Sequence, residues 1–170
     1  YRRDGYILSQ VSVPSQQLRN GVIRLQVQEG YIARVDLLGK VPRNRAALAG
    51  PIDALKRARP VTAAALERSL LLINDLAGIT ATAELAPSKT QPNAAQLTLR
   101  FDQRRYRAAI GMNNLASRSL GRTRAEGYVE LYSLLERFDR TRASFANSGS
   151  GKANTLTLEH EQPIGASGLK

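Results

Sequence analysis

Residues 6–13 and 22–28 alternate apolar and polar side chains with a period of two, which leaves little choice but a pair of half-buried strands. In the first run Ile7, Val11 and Val13 share one face with Ser9, and Leu8, Gln10 and Ser12 share the other. In the second run Ile23, Leu25 and Val27 are expected to point inward and Arg24, Gln26 and Gln28 outward. Pro14-Ser15 ends the first run, because proline has no N–H to give a ladder. Asn20-Gly21 marks the turn between the runs, and Glu29-Gly30 breaks the second.

The pattern then changes. Tyr31–Leu38 reads as a third strand closed by Gly39. Residues 46–58 read as a helix that either starts at Pro51 or kinks there, and Arg59-Pro60 stops it. Thr62 is placed to cap a second helix, in which Leu66, Leu70, Ile73 and Ala77 recur at helical spacing before Gly78. Ile79–Leu85 is a further strand, residues 87–93 are a polar loop, and Leu97, Leu99 and Phe101 line one face of a last strand. The order strand, helix, helix, strand, strand specifies an α+β domain, a small sheet with two helices on one face.

From residue 105 onward the texture changes again. Tyr106, Ala108, Ile110 and Met112 alternate with Arg107, Ala109, Gly111 and Asn113. The same alternation continues through 124–132, 139–146 and 155–159. One face is charged and the other small or apolar. Two readings fit this pattern: a soluble β-meander with one wet face, or the strands of a transmembrane barrel with a polar lumen.

Composition narrows the function classes. Among 170 residues there are 25 Lys and Arg, of which Lys supplies only residues 40, 56, 89, 152 and 170, against 14 Asp and Glu. The net charge of +11 attracts anionic partners, and the bias toward Arg favours fixed contacts. The absence of Cys excludes disulfides, thiolate zinc sites and thiol catalysis. No apolar run approaches the roughly 20 residues of a membrane helix. The chain opens on Tyr1-Arg2-Arg3-Asp4 without a signal peptide, as expected of a piece of a longer protein.

No catalytic constellation emerges. His160 is the single histidine, flanked by Glu159 and Glu161, which a strand would place on the opposite face; it reads as solvated or lumen-facing. Asn74-Asp75 sits at a helix end and reads as structural. Gly149-Ser150-Gly151-Lys152 lacks the surroundings of a phosphate loop and reads as a turn. The clusters Arg104-Arg105-Tyr106-Arg107 and Arg118, Arg122, Arg124 raise single-stranded nucleic acid as a ligand, but no nucleic-acid-binding signature accompanies them.

The residues do carry a resemblance. Gly5-Tyr6, then Pro14, Gln16, Leu18 and Gly21, then Val27, Glu29 and Gly30 resemble the end of a POTRA domain in two-partner-secretion outer-membrane transporters, the hemolysin activation/secretion family. Leu66-Glu67-Arg68 and Leu72-Ile73-Asn74-Asp75-Leu76-Ala77-Gly78 are similar to the long helix of that family's second POTRA domain and its Asn-Asp-Leu-Pro-Gly end, with Ala77 in place of Pro. Asn113-Asn114, Ser119-Leu120-Gly121-Arg122 and Gln162-Pro163-Ile164-Gly165-Ala166-Ser167-Gly168-Leu169 are similar to its first barrel strands. The resemblance implies a POTRA hairpin over 1–30, an α+β POTRA domain (β-α-α-β-β) over 31–104, and antiparallel transmembrane strands of an incomplete β-barrel over 105–170.

It also implies an outer-membrane translocator with periplasmic POTRA domains, using no nucleotide, cofactor or metal and having no enzymatic activity. Its partners would be a secreted exoprotein with an N-terminal secretion domain and the lipid and lipopolysaccharide of the outer membrane, not nucleic acid. The client is expected on the edge strand after the second helix, at Thr80, Thr82 and Glu84, with Leu66 and Leu70 lining the adjoining groove. Arg107, Arg124, Glu126, Arg140 and Arg142 are the expected pore-lumen residues. The alternative is an assembly factor of the BamA type. Four strands do not close a barrel, since barrels begin at about eight. The chain is therefore expected to continue at both ends, or to oligomerise by strand swapping.

Overall fold

The computed structural model describes residues 3–16, 21–115, 118–119 and 121–164. The chain divides into two compact units, Tyr1–Asn74 with Thr80–Asp102, and Asp75–Ile79 with Gln103–Lys170. Its fold is the sheet-rich α+β arrangement with two helices that the sequence specifies, followed by an open antiparallel sheet.

The first unit begins with a ribbon of β1 (Gln10–Ser12) and β2 (Gln26–Gln28), paired antiparallel with Val11 opposite Val27. Both strands are shorter than the alternation predicts: residues 3–8 are mostly turns, and Val22 makes only an isolated bridge. The expected inward face is also overturned. Ile23, Leu25 and Val27 are 59%, 62% and 43% exposed, because no described element packs on them. Gly21 takes the predicted left-handed turn at φ +70°, while Asn20, Leu18 and the Gly165–Leu169 motif lie outside the described residues.

The core lies in the three-stranded sheet β3 (Tyr31–Gly39), β5 (Ala94–Gln103), β4 (Ile79–Pro87), in that order. β3 and β5 run parallel, and α1 (Ala46–Arg57), α2 (Ala63–Asn74) and then β4 lie between them in the chain. Leu97, Leu99 and Phe101 of β5 are buried with Ile32, Leu48, Leu55, Val61, Ile73 and Ile79. α1 starts at Ala46, whose N–H donates to the Asn44 side chain at 3.1 Å, and runs on through Pro51. The buried ring of Pro51 sits on the core face beside Ile52 and Leu55. Thr62 caps α2 as predicted, its hydroxyl accepting from the Ala65 N–H at 3.1 Å. Ala77 is not part of that helix, which ends at Asn74, whose side-chain amide donates to the Leu70 carbonyl.

The second unit is a meander, β6 (Tyr106–Asn113), β7 (Arg124–Tyr132), β8 (Arg140–Ser148) and β9 (Asn154–Glu161), each paired antiparallel with the next. Among the described residues the sheet is open and closes no barrel. The β7–β8 turn is built on buried Asp139. Its carboxylate accepts from the N–H groups of Leu134 and Leu135 at 3.0 Å and of Arg137 at 3.4 Å. Among the described residues no helix is long and apolar enough to cross a membrane, which says nothing of spanning by strands.

Candidate functional site: a bare strand edge and a two-faced sheet

β4 is joined to β5 by the short loop 88–93, so the two strands are antiparallel. Two hydrogen bonds fix their register. Ser88 N–H donates to Ala94 C=O at 2.8 Å, and Arg104 N–H donates to Gly78 C=O at 2.8 Å. Both bonds follow one register, so the even-numbered residues of β4 turn their backbone polar groups toward β5. The odd-numbered residues turn theirs outward. No other described strand pairs with that outward edge.

The predicted client residues therefore divide by role. Thr80, Thr82 and Glu84 are exposed and share one face of β4, but their N–H and C=O groups serve the ladder with β5. The outward backbone groups belong to Ala81, Ala83 and Leu85, with only a carbonyl at Pro87. Sequence reading missed these residues because it weighed side chains. The Ser88–Ala94 pairing that sets the parity is a tertiary fact. Leu66 and Leu70 lie half-buried on α2. At the far end of β4 a cavity of about 290 Å³ is lined by Leu85 and Pro87 together with Leu8 and Gln10.

The opposite edge of this sheet is different. β3 carries a bulge between Ile32 and Arg34, and Arg34 and Asp36 stand on it as an ion pair of 2.7 Å. Bulges and charges are how natural sheets blunt an edge. The hydrogen bond from Arg34, and then one from Gln96 on β5, hold the Asp36 carboxyl below its usual range. β4 has neither device before Glu84.

The pairing registers of the meander place Arg107, Arg124, Glu126, Arg140 and Arg142 on a single face, with Tyr128, Glu130, Tyr132, Glu159 and Glu161. Buried Glu130 collects its neighbours. Arg142 Nη1 lies 3.3 Å and Arg140 Nη1 3.7 Å from its Oε1, and the Tyr132 hydroxyl donates to its Oε2 at 2.7 Å. Arg140 also reaches Glu161 at 2.6 Å, and Arg142 and Arg107 flank the Tyr128 ring at 4.3 and 5.9 Å. Arg124 and Glu126 pair with each other at 3.2 Å, apart from that cluster. Four arginines thus meet four glutamates on this face, so the basic surplus of the chain is not spent here.

The other face presents Tyr106, Ile110, Met112, Val129, Leu131, Phe145, Leu156 and Leu158, all exposed; Ile110 and Leu156 are each 82% exposed. The Phe145 ring covers Gly127 across the ladder, so a Cβ there would lie 2.6 Å from it. His160 is on this apolar face, not the charged one, and pairs with the Thr141 hydroxyl at 2.9 Å.

Comparison with known proteins reaches both units. The family model described as POTRA domain, ShlB-type, matches residues 1–30. The solved structure of CdiB from Escherichia coli, a two-partner-secretion transporter, superposes with a TM-score of 0.72 at 20% identity, covering 96% of this chain and 31% of that one. The chain shares the fold of the part of CdiB that it matches. It is also similar to the heme/hemopexin transporter protein HuxB of Haemophilus influenzae, at 21% identity over 96% of this chain and 29% of the relative. It thus spans less than a third of the length of that curated relative. BamA from Haemophilus ducreyi lacking POTRA domains 1–3 is a weaker neighbour, with a TM-score of 0.56 at 10% identity.

Proposed function

We propose that the chain is the docking and threshold segment of an outer-membrane translocator for two-partner secretion. One observation carries the reading. A POTRA-type unit with a bare strand edge is followed in the same chain by a sheet with one ion-paired face and one exposed apolar face. Residues 1–30 act as the end of a first POTRA domain, 31–104 as the second, and 105–170 as the first barrel strands. The apolar face of β6–β9 lies against the lipid of the outer membrane. Arg107, Arg124, Glu126, Arg140 and Arg142 line the lumen.

The POTRA domains stand in the periplasm and take an unfolded exoprotein by its N-terminal secretion domain. An extended client segment adds as a strand to β4, where backbone hydrogen bonds give affinity with little demand on sequence. Thr82 and Glu84, with Thr80 at the near end of the strand, present the exposed face to its side chains, and Leu66 and Leu70 line the groove beside it. The client then passes through the barrel without nucleotide.

The test is capture of the secretion domain of the exoprotein encoded beside this chain, by the whole chain in detergent. Saturable binding that is lost in Ala83→Pro, which removes an outward N–H, supports edge capture. Absent binding in the native chain, with salt-steep binding to an oligonucleotide instead, overturns it.

A further inference from the structure

Asn74 does more than close a helix. Its side-chain amide faces Ala81 on β4 and satisfies both backbone groups of that residue. The Ala81 N–H donates to Asn74 Oδ1 at 2.7 Å, and Asn74 Nδ2 donates to the Ala81 C=O at 3.1 Å. The second proton of the same nitrogen goes to the Leu70 carbonyl at 3.0 Å. A side-chain amide that accepts from and donates to one residue reproduces what a neighbouring strand offers at one rung. Ala81 is one of the outward-facing residues of β4, so the occupied rung lies on the bare edge itself.

We propose that Asn74 occupies the first rung of the β4 edge and thereby sets the register of any strand added there. The proposal rests on the edge-capture reading above and deepens it. With Ala81 taken by Asn74 and Pro87 lacking an N–H, complete rungs remain only at Ala83 and Leu85. An arriving segment pairs with these two residues and is held off Ala81. Its partner is an extended, unfolded polypeptide, because what this edge of β4 offers is alternating backbone N–H and C=O. Next to the second rung, Leu85 also lines the cavity with Leu8 and Pro87, which gives a small apolar side chain of the client a place to settle. A two-rung contact is short, which suits a segment that must be released onward.

Since the chain has no cysteine, single cysteines report position cleanly. Thr80→Cys, Thr82→Cys and Glu84→Cys place thiols on the exposed face beside successive rungs. Each is oxidised, in the full chain, with a set of ten-residue peptides of alternating Thr and Val carrying one Cys at each position in turn. The expected result is strong trapping at Glu84→Cys and Thr82→Cys and at least fivefold less at Thr80→Cys. Adding Asn74→Ala should raise trapping at Thr80→Cys to the level of the others. Asn74→Asp, which keeps the acceptor for the Ala81 N–H and loses the donor to its carbonyl, should give an intermediate yield and serves if the alanine variant does not fold. Equal trapping at all three positions in the native background, or an unchanged pattern in both Asn74 variants, overturns the role of Asn74 and leaves edge capture standing. No trapping at any position overturns both.

Discussion

Asp36 shows how a single carboxylate ties charge to the small sheet. It accepts from Arg34 on its own strand and from Gln96 on the next, and both contacts favour the ionised form. A carboxyl whose folded pKa lies below the unfolded value contributes stability above the unfolded value, about 3.9, and loses it as pH falls through the folded one. The acid limb of thermal unfolding should therefore flatten below about pH 4 in Asp36→Asn, measured by circular dichroism across pH. Gly78 is fixed by geometry instead. It has φ +75°, and a Cβ there would lie 2.5 Å from the Arg104 carbonyl and 2.6 Å from Tyr132 Cβ. Gly78→Ala is expected to cost roughly 1–3 kcal/mol or more in a denaturant titration. Asp139→Ala strands backbone N–H groups of the β7–β8 turn, at about 1–3 kcal/mol for each left unsatisfied. Gly78 was read as the stop of a helix that in fact ends at Asn74; Asp139 was not legible, because nothing in its local pattern separates the organiser of a turn from the first residue of a strand.

At the scale of the element, parity along β4 decides what a substitution does. Proline is tolerated where an edge N–H faces solvent and not where it serves a ladder. Ala83→Pro should leave the melting temperature of the first unit within a few degrees while abolishing strand addition. Thr82→Pro, one residue away, breaks the ladder to β5 and is expected to cost about 3 kcal/mol or more. Calorimetry of the two variants separates these outcomes, and equal destabilisation would contradict the register derived from the Ser88–Ala94 and Gly78–Arg104 bonds. The helices illustrate the limits of periodicity. Thr62 and the face of Ile73 were readable, since capping and spacing are local. The passage of α1 through Pro51 was not, because burial of Pro51, Ile52 and Leu55 against the sheet overrides the local penalty.

For the whole molecule the decisive feature is the separation of faces on the meander. If the apolar face meets lipid, then charge placed there is penalised by roughly 2–4 kcal/mol at the bilayer midplane and less near its borders. Ile110→Arg and Leu158→Arg should accordingly reduce partition of the chain into outer-membrane vesicles, while Glu126→Gln on the opposite face should not. Equal partition of all three would argue that the sheet is a soluble meander.

The sequence by itself determined which stretches alternate, the Thr62 cap of α2 and the stop of α1 before Arg59-Pro60, and that residues 31–101 build an α+β unit. These properties depend on neighbours in the chain: turn chemistry, side-chain period and capping act over a few residues. The tertiary structure alone decided the rest. It shortened the first ribbon and left Ile23 and Leu25 in solvent, because an apolar face is buried only if something covers it. It gathered Arg140, Arg142 and Tyr132 around Glu130 through strand register. It also turned Ala83 and Leu85 outward on β4 while Asn74 closed the rung at Ala81, since the direction of a backbone N–H is set by the strand beside it and not by the residue that bears it.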